Sequence, residues 1–336
     1  MTWILGRTDR LVRPTTLLLG VLTVSGLSAR ALGADPELVG TAVWLAAIPL
    51  WFLVAYLAVV VLTPPMHALH RRYGLAVPVL LFVLVGVGDA ARMVWHVPYV
   101  DRGNFLLAWL AIHQLGFAWQ DGRLPARPRV ALPLTLGGLI ALVSLTVAGP
   151  YPISMVGVAG EEIQNTSPPT LALLALAVTQ TGLALWSHDP VNRWLRRPRP
   201  WTAVVAVNSV IMTLFLWHMM AAVLGVMVLY PTGVMPEPAP GSPAWLLLRV
   251  PWIIVLAVIL GVLVALFGPV EQRAGPRPDP RGSPVVPTLV GTVGVLGGLL
   301  SAAAAGPGDH GPASLPIPAL TAYFAGATIL RYTRHH

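Results

Sequence analysis

Asn208 and His218 sit ten residues apart inside one apolar run, WTAVVAVNSVIMTLFLWHMMAAVLGVMVLY, residues 201–230. At about 1.5 Å per residue the run exceeds the roughly 30 Å hydrocarbon core of a bilayer, so both polar side chains are expected at membrane depth. Read as one helix, it carries them about 15 Å apart along its axis and roughly 80° apart around it. Lipid offers neither a hydrogen bond, so each must face another helix or a hydrated cavity. Two readings are open: an interhelical bond that fixes packing, or, for His218, proton handling near physiological pH. A second candidate is FLLAWLAIHQLGFAWQDG, residues 105–122, in which His113 and Gln120 are seven apart on one face and Gln114 is turned about 100° away. Neither span has a second His or carboxylate at i+3 or i+4, so no metal site or bound cofactor is expected.

Two further constellations are polar and near span ends. Asp89, Arg92 and His96 follow i, i+3, i+7 spacing, which aligns them on one helical face. Asp89 and Arg92 can neutralise each other there; alternatively Arg92 or His96 touches a polar substrate in a hydrated vestibule. In MVGVAGEEIQNTSPPT, residues 155–170, Glu161, Glu162 and Asn165 are either solvated loop surface or groups suited to a hydroxyl-rich acceptor. The triplet Asn165-Thr166-Ser167 fits a glycosylation acceptor, a pattern too common to carry weight. No Walker loop, Gly-x-Ser-x-Gly elbow, His-Glu-x-x-His or Gly-x-Gly-x-x-Gly is found.

The elements that must position these residues follow from composition. Of 336 residues 56% are hydrophobic and 10% charged, far from the roughly 25% charged of soluble domains. The expected fold is all-α: a polytopic transmembrane helical bundle of about ten spans, near 15–33, 43–63, 75–93, 104–120, 131–149, 169–187, 202–230, 246–268, 285–304 and 315–330. A signal peptide over the first apolar run is the weaker reading, since Arg30 interrupts its end. The net charge of +8 does not point to nucleic acid, because the arginines alternate with apolar spans and no basic, aromatic-interleaved patch forms. With an inner N-terminus, 17 of the 21 arginines fall on the cytoplasmic side, leaving Arg30, Arg92, Arg102 and Arg249 outside. Both termini are therefore expected in the cytoplasm and the chain in the plasma membrane. There is no Lys and no Cys, which excludes disulfides and thiolate chemistry. No internal repeat is evident.

Together these pieces resemble the membrane acyltransferase 3 family, in particular its actinobacterial-type members. The residues that carry the resemblance are Arg7-Thr8-Asp9-Arg10-Leu11-Val12-Arg13-Pro14, similar to the family's Arg-x-x-Arg element, with Trp109–Gly122, Met155–Thr170 and the late-helix Thr213–Met219, TLFLWHM. It extends over 1–268; residues 269–336, a Pro/Arg-rich loop and two helices, look like an addition. The resemblance implies an O-acyltransferase that moves an acyl group, acetyl expected, from acyl-CoA to a hydroxyl of a glycan or glycosylated envelope component. It implies that Arg7, Arg10 and Arg13 grip the CoA phosphates, for which guanidinium groups are suited. Asn208, Gln114, Gln120, Asp89, Arg92, His96, Glu161, Glu162 and Asn165 would line the acceptor side. Family members carry two more spans before the Arg-x-x-Arg element, with a His taken as the base. The chain is expected to lack them, so His218 and His113 are the catalytic candidates. The alternatives are a transporter or flippase for a polar or lipid-linked solute, or a non-catalytic relative.

Overall fold

The computed structural model describes residues 2–157, 163–234, 236, 238–239, 241–273, 285–312 and 314–333, of which 2–10 by backbone alone. Among these residues the regular elements are helices: α1 (Thr2–Ala31), α2 (Pro36–Ala47), α3 (Leu50–Tyr73), α4 (Ala76–Met93), α5 (Asn104–Gln120), α6 (Pro128–Val143), α7 (Leu171–Leu195), α8 (Pro198–Asn208), α9 (Ile211–Leu229), α10 (Pro243–Gln272), α11 (Val285–Ala304) and α12 (Ile317–Tyr332). A 3₁₀ turn, Val100–Gly103, precedes α5, and a π turn, Ser144–Ala148, ends α6. Among the described residues eight stretches are long and apolar enough to cross a membrane. The other two expected spans coincide with α5 and α12, which at 17 and 16 residues are shorter than the usual spanning length. The protein is a multi-pass helical membrane bundle.

Two expected spans are broken. Residues 43–63 fall on α2 and α3, divided at Ile48–Pro49, where proline has no N–H to continue the ladder. Residues 202–230 are likewise not one helix: α8 stops at Asn208 and α9 starts at Ile211. The cause is local. Asn208 Nδ2 donates to Val204 O at 3.0 Å and Ser209 Oγ to Ala206 O at 2.7 Å, so side chains compete for the carbonyls that the helix needs. Asn208 and His218 therefore belong to different helices, which corrects the single-face geometry expected above.

The chain divides into two compact units, Met1–Leu57 with Ala203–His336, and Ala58–Thr202. The first is packed around Leu18, Leu19 and Leu22 of α1, Leu50 and Leu53 of α3, Leu216 and Trp217 of α9, and Tyr323 of α12, all nearly inaccessible. Helices α11 and α12 approach through glycine: a Cβ at Gly298 would lie 2.6 Å from Tyr323 N, and one at Gly326 2.6 Å from Val295 N. Such close backbone contact is how membrane helices gain dispersion energy without a hydrophobic drive. This C-terminal pair is fastened to α1 by Tyr323, whose hydroxyl lies 3.0 Å from Thr16 Oγ1 and donates to Val12 O at 3.1 Å. An Arg30–Asp309 ion pair adds a second tie, with Arg30 Nη1 also donating to Gly311 O at 2.9 Å. Helix α10 leaves Leu247, Val250, Ile254, Val258 and Val262 exposed along its length, a face suited to hydrocarbon.

In the second unit α6 and α7 interlock reciprocally. A Cβ on Gly138 would meet Thr179 N at 2.7 Å, and one on Gly182 would meet Thr135 N at 2.5 Å. Helices α4, α5 and α7 bury Val85, Ala108, Ala111 and Leu174, and α5 to α7 bury Ala118, Ala131 and Leu185.

Candidate functional site

His218 lies near the middle of α9 and is exposed, while its neighbour Trp217 is buried and stacked on Phe267 at 4.0 Å. The Nδ1 of His218 faces Phe215 O one turn earlier, an acceptor that fixes the proton on Nδ1. The remaining nitrogen, Nε2, then carries the lone pair. A row of rings leads to it: Trp51 and Phe52 are 6.0 Å apart, Phe52 and Phe215 5.0 Å, and Phe215 and His218 5.7 Å, with Tyr56 6.5 Å from Phe52. An imidazole with an oriented lone pair beside an apolar wall is equipped to take a proton from a hydroxyl.

The second unit holds two polar clusters. At one end His70, 2% exposed, is held through both ring nitrogens: Nδ1 lies 2.8 Å from Gln114 Oε1 and Nε2 2.9 Å from Asp121 Oδ2. Gln114 Nε2 donates to Met66 O at 3.0 Å, which turns its carbonyl toward His70 and makes Nδ1 the donor. Arg123 closes the group, pairing with Asp121 Oδ2 at 3.1 Å through Nε and donating from Nη1 to His70 O at 3.2 Å. Phe117 sits among three histidines, with ring centroids 4.5 Å from His113, 5.2 Å from His67 and 5.7 Å from His70. Sequence reasoning missed His67 and His70; their i, i+3 spacing before Arg71-Arg72 was the available signal. It paired His113 with Gln120, whereas Gln114 is the buried member of α5 and Gln120 is exposed at its end.

At the other end Asp89, 3% exposed, collects three donors: Tyr151 OH at 2.8 Å, Leu171 N at 2.8 Å and Asn104 Nδ2 at 3.0 Å. Burial first and the Asp89 carboxylate second push the Tyr151 hydroxyl well above its ordinary pKa, so it remains the donor. The expected Asp89, Arg92, His96 face does not form. Arg92 makes an ion pair with Asp101 Oδ2 at 3.5 Å, and α4 ends at Met93, leaving His96 beyond the helix with φ 51°. Asp89 is drawn inward because it caps the first residue of α7, where N–H groups lack helical acceptors. Asn165 is fully buried and structural: Nδ2 donates to Pro152 O and Ser154 O at 2.7 and 2.9 Å, and Oδ1 accepts from Thr170 Oγ1 at 2.7 Å.

Of the basic candidates, Arg13 donates to Arg273 O at 2.9 Å. Arg7 and Arg10 are on α1, with their side chains outside the described residues, and Glu161 and Glu162 lie outside them altogether. Asn208 is exposed at the end of α8. Among the described residues no three His, Cys, Asp or Glu side chains gather in a way that could hold a metal.

A family model for an acyltransferase domain, that of the acyltransferase 3 family, matches residues 1–268. The chain belongs to this family. No curated protein and no solved structure matches it. As a membrane acyltransferase it has α1 to α9 and most of α10 inside the matched region, with α11 and α12 beyond it. His218 and the histidines around Phe117 all fall within the acyltransferase match.

Proposed function

We propose that this acyltransferase moves an acyl group, acetyl in the simplest case, from acyl-CoA to a hydroxyl of a glycan or glycosylated envelope component at the plasma membrane. The observation that carries the assignment is the Nδ1 contact of His218 with Phe215 O, which leaves Nε2 as the proton acceptor. The acceptor hydroxyl gives its proton to Nε2 as its oxygen attacks the thioester carbonyl carbon. The C–O bond forms, the C–S bond breaks, and the proton passes from His218 to the departing CoA thiolate. His218 stands in the middle of a spanning helix, the level at which a donor from the inner face and an acceptor from the outer face can meet. The row from Trp51 to Phe215 offers an apolar wall for the acyl end. Arg7, Arg10 and Arg13 suit the CoA phosphates, which match guanidinium geometry.

The test is CoA thiol release from acetyl-CoA by proteoliposomes supplied with a panel of glycans. Both His218→Ala and His218→Gln are expected to lower kcat about 10²- to 10⁴-fold, the usual worth of a positioned base. Rates equal to wild type would remove His218 from the mechanism.

A further inference from the structure

The second unit carries a concentration of positive charge to which the proposed mechanism assigns no role. Arg71 and Arg72 end α3, Arg123 and Arg127 lie between α5 and α6 with Arg129 in the first turn of α6, and four more run from the last turn of α7 (Arg193) through Arg196 and Arg197 to the first turn of α8 (Arg199); all nine are exposed. The packing brings these segments to one end of the unit. Arg123 donates to His70 O at the end of α3, and the Trp119 ring of α5 lies 5.8 Å from His188 of α7.

Among the described residues two acids share that end, and both are engaged: Asp121 with His70 and Arg123, and Asp189 with His188 at 2.9 Å. Among the described residues Arg123 alone of the nine is in an ion pair. An array of like charges so close together repels itself and calls for mobile anions.

The densest part has a second feature. Trp194 and Trp201, 51% and 56% exposed, bracket Leu195-Arg196-Arg197-Pro198-Arg199-Pro200. The segment starts where the candidate span Leu171–Leu195 stops, so it lies at the membrane surface. Indole rings favour the headgroup level, and arginine clusters just beyond a span attract anionic lipid. We propose that Trp194–Trp201 is a docking site for anionic phospholipid headgroups. In it Arg196, Arg197 and Arg199 bind phosphate oxygens while the two indoles seat at the interface. Lipid is favoured over a soluble nucleotide because exposed indoles flank the arginines on both sides, at the depth where headgroup phosphates are supplied.

The experiment uses the full chain in mixed micelles holding equal phosphatidylglycerol and phosphatidylcholine, with retained lipids counted by native mass spectrometry. Wild type is expected to keep phosphatidylglycerol in excess. Arg196→Gln, Arg197→Gln and Arg199→Gln should each weaken it about fivefold, and the triple variant should abolish the excess. Arg331→Gln, at the end of α12, should leave it unchanged. If the triple variant does not fold, wild type is tested across about 0.05 to 0.5 M NaCl, where phosphatidylglycerol but not phosphatidylcholine should be released. Equal retention of both lipids by wild type, an unchanged excess in the triple variant, or displacement of phosphatidylglycerol by free CoA would each overturn the proposal. Because thiol release is not the readout, failure here leaves the acyl-transfer reading untouched, and the converse holds.

Discussion

His70 Nε2 lies 2.9 Å from Asp121 Oδ2, and this pair ties the end of α3 to the end of α5. Burial alone would raise the Asp121 carboxyl, but the Arg123 N–H, the His70 ring and the Arg123 charge outweigh it and hold the pKa below the usual range. With a folded pKa below the unfolded one, the folded protein binds fewer protons in that interval than the unfolded chain. The stabilisation is therefore complete above about pH 4 and is lost as pH falls through the folded value. Asp309, lowered chiefly by its Arg30 hydrogen bond, acts in the same direction, so Asp121→Asn should flatten part of the acid slope. Melting followed by circular dichroism between about pH 6 and 3 measures this; a variant slope identical to wild type would show that Asp121 carries no linkage. His70→Ala should in addition strand Gln114 Oε1 and cost about 1–3 kcal/mol.

At the opposite end of the same unit, Asp89 accepts from Tyr151, Leu171 N and Asn104. In Asp89→Asn an amide nitrogen must replace one of those oxygens and face a donor. Tyr151→Phe removes a single donor and leaves two. Asp89→Asn is therefore expected to lower stability by about 2–4 kcal/mol and Tyr151→Phe by about 1–2. Melting of the two variants and their double should show the double close to Asp89→Asn alone, since the residues share one network; simple additivity would break the network apart.

Gly182 and Gly137 offer a matched pair. A Cβ at Gly182 would stand 2.5 Å from Thr135 N and 2.9 Å from Ala131 O, both backbone atoms, whereas one at Gly137 meets nothing within 4 Å. Gly182→Ala must push α6 off α7, a cost of at least about 2 kcal/mol. Gly137→Ala should be neutral or stabilising by about 0.5–1 kcal/mol through helix propensity. Comparable melting temperatures for the two variants would contradict the close approach of these helices.

The spans were legible in the sequence because a run of some 18 apolar residues has few other uses. What was not legible lay one step further into packing. The end of α8 carries no proline or glycine; it depends on Asn208 and Ser209 taking carbonyls of their own helix, an option these residues also have in unbroken helices. The i, i+3, i+7 rule aligned Asp89 with Arg92 and His96, but it presumes that the helix continues, and α4 ends before His96. His70 escaped notice beside Arg71 and Arg72 because its partners, Gln114 and Asp121, are 44 and 51 residues away, a distance only the tertiary fold closes. His218 is a candidate on sequence alone because a polar residue in mid-span stands out without any knowledge of its neighbours.

The start of α9 decides how firmly His218 is held. Its cap residue, Val210, has no side chain able to bond the first N–H groups, and α10 supplies the substitute. Glu271 accepts from Met212 N at 3.1 Å through Oε1, and from Thr213 N and Thr213 Oγ1, each at 2.7 Å, through Oε2. A carboxylate at this position also meets the positive end of the helix dipole. Glu271→Ala leaves two N–H groups and a fully buried hydroxyl without an acceptor, and should destabilise by about 2–4 kcal/mol. Glu271→Gln keeps an acceptor but loses the charge, so about 1–2 kcal/mol is expected. Since Thr213 is five residues before His218, the alanine variant should also slow thiol release. A cycle with Thr213→Val separates the causes: a coupling energy near zero would mean that Glu271 acts through the two backbone N–H groups and the helix dipole, and one of about 1 kcal/mol or more that the Thr213 hydroxyl contributes as well.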